Sequence, residues 1–168
     1  IVLDGALEHR DSLGNGEVLH PGEVQVMTAG RGIRHSEFNP DAKTPVHLIQ
    51  IWIEPNKAGL TPTYAQRNFP KDERINTLAR VAGPSDRSDA ALAINQDTHV
   101  YVSLLQPQQD ITHSLQQNRA AWIHVAQGAC IINGTLLSGG DAACFEEAAE
   151  IVIKGGDTTS SLILFDLP

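Results

Sequence analysis

A histidine and a glutamate two residues apart give the clearest chemical signal in this sequence. His35 and Glu37 follow the glycine-containing segment Gly30-Arg31-Gly32-Ile33-Arg34. On a β-strand, side chains two residues apart point to the same face, so the imidazole and the carboxylate would meet. This pair suits a divalent metal, because imidazole favours Fe, Ni, Cu or Zn and the carboxylate adds charge and an oxygen ligand. On the residues alone, the pair is either half of a metal site or a surface pair.

The other six of the seven histidines carry a weaker signal. They are His9, His20, His47, His99, His113 and His124. His9 comes just before a turn, so we expect it at a solvated strand end. The others precede a turn, lie inside apolar runs, or have no acidic or histidine partner at ligand spacing. We therefore predict no metal role for these six.

Short apolar runs separated by glycine and proline dominate the chain. Residues 24–26, 46–53, 122–125, 151–153 and 162–165 are rich in β-branched and other apolar side chains. Many short strands at close spacing are typical of a β-barrel or β-sandwich. The predicted fold class is therefore all-β. A short helical turn over residues 89–93 is the one helix that the sequence suggests.

Two parts of the chain resemble each other. Residues 2–7 and residues 125–130 have similar sequences, and each segment is followed by a turn. A glycine–acid pair then follows in both places, Gly22-Glu23 and Gly140-Asp141. Self-similarity of this kind predicts two copies of one β unit.

The organisation of the chain follows from this repeat. Residues 71–95 are polar and rich in turn-forming residues, so they form the predicted connection between two β units. We predict a first unit over residues 1–70 and a second over residues 96–168. The second glycine–acid pair is followed by no His-x-Glu sequence, so the second unit is expected to lack a metal site.

Composition and charge restrict the possible partners. The chain has 168 residues and a formal net charge of −8. This charge argues against nucleic acid and against an anionic membrane surface, because both require a basic face. No apolar run reaches the roughly 18–20 residues of a spanning helix, and no secretory signal is visible, so we expect a cytoplasmic protein. Cys130 and Cys144 are expected to be free thiols.

Residues 5–15 and 21–37 together resemble the signature region of the pirin family. Members of this family are two-barrel cupins, and the bacterial branch with quercetin 2,3-dioxygenase activity is the most similar. Residues 47–53 and 164–167 also match that branch, so the resemblance extends over essentially the whole chain. It implies two cupin-type β-barrels, the second of which packs and supports without a metal.

The same resemblance implies a metal site in the first barrel. In the family, three histidines and one glutamate hold a single metal, usually iron as Fe²⁺, with Ni, Cu, Zn, Co and Mn as alternatives. His35 and Glu37 match the third and fourth ligands, whereas His9 matches a position that is not a ligand. The first two ligands form a His-x-His expected upstream of Ile1. We therefore expect the first barrel to be incomplete at its N-terminus in this sequence.

The resemblance also implies a reaction and its partners. The substrates would be a flavonol such as quercetin and O₂, with Glu37 as the general base on the flavonol 3-hydroxyl. Two alternatives stay open, namely a metal-containing regulator that binds another protein, and a truncated inactive fragment. An open sheet edge would permit a strand-exchanged oligomer. We expect no direct nucleic-acid or membrane partner.

Overall fold

The computed structural model describes residues 1–84, 91–147 and 149–168, and their regular secondary structure is almost entirely β. The first part of the chain contains β1 (Val2–Asp4), β2 (Leu7–Asp11), β3 (Gly16–Leu19), β4 (Glu23–Thr28), β5 (His35–Phe38), β6 (His47–Leu48) and β7 (Thr63–Asn68). A single-turn helix, α1 (Lys71–Arg74), follows. The second part contains β8 (Ala79–Pro84), β9 (Leu92–Ile94), β10 (His99–Leu105), β11 (Asp110–Leu115), β12 (Ala120–Gln127), β13 (Ala129–Ile132), β14 (Thr135–Ser138), β15 (Ala142–Phe145), β16 (Ala149–Gly155) and β17 (Ser160–Leu167).

Strands β8–β17 form two sheets, which we call the C-terminal sandwich. One sheet has the order β15-β12-β17-β10-β8-β9, and the other has the order β11-β16-β13-β14. Side chains alternate along β12, where Ala121, Ile123 and Val125 are buried and Trp122 is exposed. The inward-facing apolar side chains of both sheets join in one core. This alternation is what a strand with one face in a core requires.

Strands β1–β7 form three small sheets, with the orders β3-β2-β5, β4-β7 and β1-β6. Val2, Leu7 and Leu19 make a small core among them. A second apolar cluster joins these strands to the C-terminal sandwich, where Val24 and other side chains pack with Ile163 of β17. Because Ile163 points away from the sandwich core, the N-terminal strands rest on the outer face of the six-stranded sheet.

The structure confirms the all-β fold class and most of the predicted strands. Residues 46–53 are an exception, since only His47 and Leu48 of this run form a strand. The helical turn expected at residues 89–93 is wrong where the chain is described, because Leu92–Ile94 is strand β9. Pairing of β9 with β8 has overridden the local helix preference. Residues 89 and 90 lie outside the described part of the chain.

The two similar segments have matching bends in the structure, and we call β1–β5 the first repeat and β12–β16 the second repeat. Gly5 and Gly128 occupy the same bend, with φ angles of +75° and +77°. At both positions an added Cβ would overlap backbone atoms, so the bend requires glycine. Gly22 and Gly140 also match in backbone conformation, with φ angles of +100° and +97°.

Two further expectations concern the cysteines and the membrane. Cys130 and Cys144 are free thiols, as predicted. Burial raises the pKa of the Cys130 thiol to about 11, whereas Cys144 is exposed. None of the described helices is long and apolar enough to cross a membrane.

Candidate metal centre

Antiparallel pairing of β2 with β5 builds the candidate site. The register places His9 opposite Glu37 and Asp11 opposite His35. His35 and Glu37 lie on one strand, as predicted, and their side chains converge, with His35 Nδ1 3.8 Å from Glu37 Oε1. The strand geometry expected from the His-x-Glu spacing is therefore present.

His9 joins this pair, which the sequence did not predict. One possible ligand atom from each of His9, His35 and Glu37 lies within 4.8 Å of the other two. His9 Nδ1 is 3.7 Å from Glu37 Oε1. The expectation of a solvated strand end is wrong, because His9 is fully buried and its ring stacks on Tyr64 with centroids 4.9 Å apart. The burial arises from strand pairing, which the local sequence around His9 does not reveal.

Both ring nitrogens of His9 have hydrogen-bonding partners. Nε2 lies 3.2 Å from Asp11 Oδ2, and Nδ1 lies 3.3 Å from Gln25 Nε2. Asp11 also accepts hydrogen bonds from the backbone of Leu13 and from Asn15. Burial alone would raise the pKa of Asp11, but these hydrogen bonds, including the one from His9, outweigh it and lower the pKa to about 2. Asp11 is therefore ionised at neutral pH.

Two glutamines contact the carboxylate of Glu37. Gln25 Nε2 donates to Oε1 and Gln50 Nε2 donates to Oε2, each at 3.4 Å. Tyr64 lies beside them and donates from its hydroxyl to Gln66 Oε1 at 2.7 Å. Burial and nearby carboxylates raise the pKa of Tyr64 to about 12. Tyr64 is thus a neutral hydroxyl at physiological pH.

The cluster has the donor types and the spacing that a divalent metal requires. Ligand atoms bound to one ion at about 2.0–2.2 Å lie roughly 3–4 Å apart. The separation between His35 Nδ1 and Glu37 Oε1, 3.8 Å, is in this range. The His35 side chain is 32% exposed, and within the described residues its ring has no hydrogen-bond partner. His35 is therefore free to bind an ion, whereas both nitrogens of His9 are already engaged.

The other histidines do not form a comparable group. Within the described ranges, the cluster of His9, His35 and Glu37 is the only set of three or more potential metal ligands. His113 has no acidic partner at ligand spacing in the sequence, but in the fold its Nε2 lies 3.0 Å from Asp166 Oδ2. These two residues are 53 positions apart in sequence, so ligand spacing could not reveal the contact.

Two stacked β-sheets and a cluster of histidine and carboxylate side chains on short neighbouring strands are typical of the cupin class. Comparison with known proteins agrees with this class. The profile of the Pirin family matches residues 1–53, and that of the quercetinase C-terminal cupin domain matches residues 81–167. The chain therefore belongs to the pirin family.

Individual relatives show how far this similarity extends. Quercetin 2,3-dioxygenase of Escherichia coli K12 is 40% identical over 167 residues, which are 99% of this chain and 70% of that protein. A pirin-like protein of Caulobacter vibrioides is 37% identical over 98% of this chain and 70% of its own length. The crystal structure of the bacterial pirin YhhW from Escherichia coli, in complex with nickel(II), superposes with a TM-score of 0.89. It is 40% identical and is matched over 99% of this chain and 70% of that one.

Proposed function

We propose that this chain forms the catalytic part of a metal-dependent dioxygenase that cleaves flavonols such as quercetin with O₂. The observation that carries the proposal is the convergence of His35 and Glu37, 3.8 Å apart, on strand β5. Relatives named quercetin 2,3-dioxygenase align with nearly the whole chain, and one related structure contains nickel. The donor types and the family thus support the same chemistry.

The proposed site holds one divalent metal, with iron as the physiological ion. His35 would contribute an imidazole nitrogen and Glu37 a carboxylate oxygen, with two further histidine ligands expected before Ile1. When bound, the ion would supply a Lewis acid and a redox centre for the flavonol and dioxygen. This assignment leaves His9 outside the ligand set, because its two ring nitrogens already have hydrogen-bonding partners.

Glu37 is the proposed general base. Its side chain is 23% exposed, so a substrate can reach the carboxylate. Gln25 and Gln50 donate to it only through long hydrogen bonds of 3.4 Å. Glu37 therefore retains lone pairs that can accept the proton of the flavonol 3-hydroxyl. Loss of that proton gives the electron-rich flavonolate that reacts with dioxygen.

The remaining parts of the chain have supporting roles in this proposal. Residues 1–70 would form the metal-bearing unit, residues 71–95 the connection, and residues 96–168 a barrel that packs and supports. Strands β8 and β9 lie within residues 71–95 and belong to the same sheet as β10. We propose a cytoplasmic location, with a flavonol and O₂ as the small-molecule partners.

Replacement of the proposed base tests this function. The full-length gene product would be loaded with Fe²⁺, and quercetin consumption would be followed under air. Glu37→Gln should lower kcat by about 10²–10⁴-fold, the usual contribution of a general base. Glu146→Gln, at an exposed position in the second repeat, is the matched control and should have wild-type activity. Unchanged turnover in a folded Glu37→Gln variant would contradict the proposal.

A further inference from the structure

The side-chain amide of Gln25 lies between His9 and Glu37, and the function proposed above treats it only as a distant donor to Glu37. Its Nε2 atom is 3.3 Å from His9 Nδ1 and 3.4 Å from Glu37 Oε1. An amide nitrogen carries two hydrogens, so it can donate to both acceptors at once. We propose that Gln25 is a positioning residue that holds the Glu37 carboxylate. Asp11, acting through His9, sets the orientation of the Gln25 amide. This inference rests on the proposed function only in that Glu37 is taken as the base and metal ligand.

The orientation begins at Asp11. This carboxylate accepts hydrogen bonds from the backbone of Leu13 and Asn15 and from the Asn15 side chain. An ionised carboxylate cannot donate, so the contact of 3.2 Å between Asp11 Oδ2 and His9 Nε2 requires a proton on Nε2. A neutral imidazole with its proton on Nε2 presents a lone pair at Nδ1. Asp11 therefore fixes the tautomer of His9.

The tautomer of His9 in turn fixes the amide of Gln25. If this amide were rotated by half a turn, its oxygen would face the lone pair of His9 Nδ1 and the carboxylate of Glu37. Both contacts would then join two acceptors. With Nε2 in that place, both contacts are hydrogen bonds. Each group thus determines the next, and we call this series the Asp11–Gln25 relay.

A direct role of His9 as a metal ligand is the main competing assignment. Its Nδ1 atom is close enough to Glu37 to share an ion with it, at 3.7 Å from Oε1. However, Nδ1 already faces the amide of Gln25, and the residue is fully buried. His35 differs on both points, since its side chain is 32% exposed and its ring makes no hydrogen bond among the described residues. The relay therefore assigns His9 to positioning and His35 to binding.

The first test reads the tautomer of His9 directly and needs no metal. Long-range ¹H–¹⁵N NMR spectra of the metal-free protein distinguish a proton on Nε2 from one on Nδ1. The relay requires the Nε2–H form in the wild type and a gain of the Nδ1–H form in Asp11→Asn. A wild-type spectrum with the proton on Nδ1 would overturn the proposal, whatever the protein's metal affinity.

The second test measures how the relay acts on the metal site, with Ni²⁺ alone as the probe in isothermal titration calorimetry. Loss of a hydrogen bond that orients a ligand typically costs 10–100-fold in metal affinity. Gln25→Met should therefore bind Ni²⁺ about 10-fold more weakly than the wild type. Gln109→Met, at an exposed position of the C-terminal sandwich, is the control and should bind as the wild type does.

A double-mutant cycle separates a relay from independent contacts. Asp11→Asn should weaken Ni²⁺ binding although Asp11 makes no hydrogen bond to Glu37, and combining it with Gln25→Met should add little further loss. Additive losses, or a Gln25→Met variant with wild-type affinity, would overturn the relay.

His9→Phe keeps the aromatic stacking on Tyr64 and should resemble Gln25→Met. If it instead abolished binding as completely as His35→Ala, His9 would be a ligand. A wild type that binds no Ni²⁺ would count against the proposed function, and the tautomer would still decide the relay.

Discussion

The two repeats place different chemistry on equivalent strands. In the first repeat, β2 pairs with β5 and sets His9 opposite Glu37. In the second repeat, β13 pairs with β16 and sets Ile132 opposite Ile153. The two strand pairs are equivalent, because the first strand of each pair comes directly after the bend glycine and forms a hairpin with the next strand. A histidine and a carboxylate in the first repeat are thus replaced by two isoleucines in the second.

The third member of the cluster follows the same rule. Two residues before Glu37 the first repeat has His35, and two residues before Ile153 the second repeat has Ile151. These three isoleucines, Ile132, Ile151 and Ile153, are at most 2% exposed and belong to the core of the C-terminal sandwich. Gln25 follows the same pattern, since Ala143 occupies the equivalent position after the glycine–acid pair. One backbone arrangement therefore supports either a polar, partly accessible cluster or a dry apolar core.

The largest expected effect comes from truncating equivalent residues of the two repeats. Ile153→Ala should lower the free energy of unfolding by about 2–5 kcal/mol, because it leaves a cavity in a closed core. Glu37→Ala should change it by less than about 1 kcal/mol, because Glu37 is partly exposed and makes only long hydrogen bonds. Urea denaturation followed by circular dichroism measures both. Equal losses would show that the first repeat has a core like that of the second.

The next effect tests what the repeats have in common, the bend at Gly5 and Gly128. Alanine at either position should lower the free energy of unfolding by about 1–2 kcal/mol for the left-handed backbone. Overlap with neighbouring backbone atoms should lower it by about 1–3 kcal/mol more. Gly14→Ala and Gly134→Ala are the controls, because both have positive φ but nothing within 4 Å of the added Cβ. In these controls the free energy of unfolding should fall only by the backbone contribution. If all four variants lost the same stability, the close backbone contacts at Gly5 and Gly128 would add no cost of their own.

The smallest effect concerns Asp11, whose role has no counterpart among the isoleucines of the second repeat. Folding lowers the pKa of Asp11 from 3.8 to about 2. Its ionised form therefore stabilises the folded chain above about pH 4, and this contribution is lost as the pH falls through 2. The difference in melting temperature between the wild type and Asp11→Asn should shrink between pH 5 and pH 2. Asp110→Asn, in an exposed ion pair with Lys154, serves as the control. A difference that is constant with pH would contradict the hydrogen bonding described for Asp11.

Local patterns were sufficient to predict the fold class and the His35–Glu37 pair. Strand alternation depends on neighbouring residues, so runs such as 122–125 and 151–153 were found from composition alone. The convergence of His35 and Glu37 follows from the two-residue period of a strand. The repeat was visible because its bend requires glycine at Gly5 and Gly128, whose backbone conformation leaves little choice of residue.

The features that were missed depend on contacts between distant residues. His9 is buried because β2 pairs with β5, more than twenty residues later, and nothing next to His9 indicates this. His113 meets Asp166 across two sheets for the same reason. Residues 49–53 have strand-like composition but do not extend β6, although Ile49 and Ile53 pack into the core. Helix α1 did have a local signal, since Pro70 precedes it and acidic residues occupy its first turn.

The central claim is that the first repeat binds a metal through His35 and Glu37 while the second repeat does not. Anomalous diffraction at the metal absorption edge, from crystals of the full-length gene product grown with Ni²⁺ or Fe²⁺, tests it most directly. The account predicts one strong peak, about 2.0–2.2 Å from a His35 ring nitrogen and a Glu37 carboxylate oxygen. A peak bound elsewhere, or none in a crystal that contains the intact first repeat and saturating metal, would contradict it.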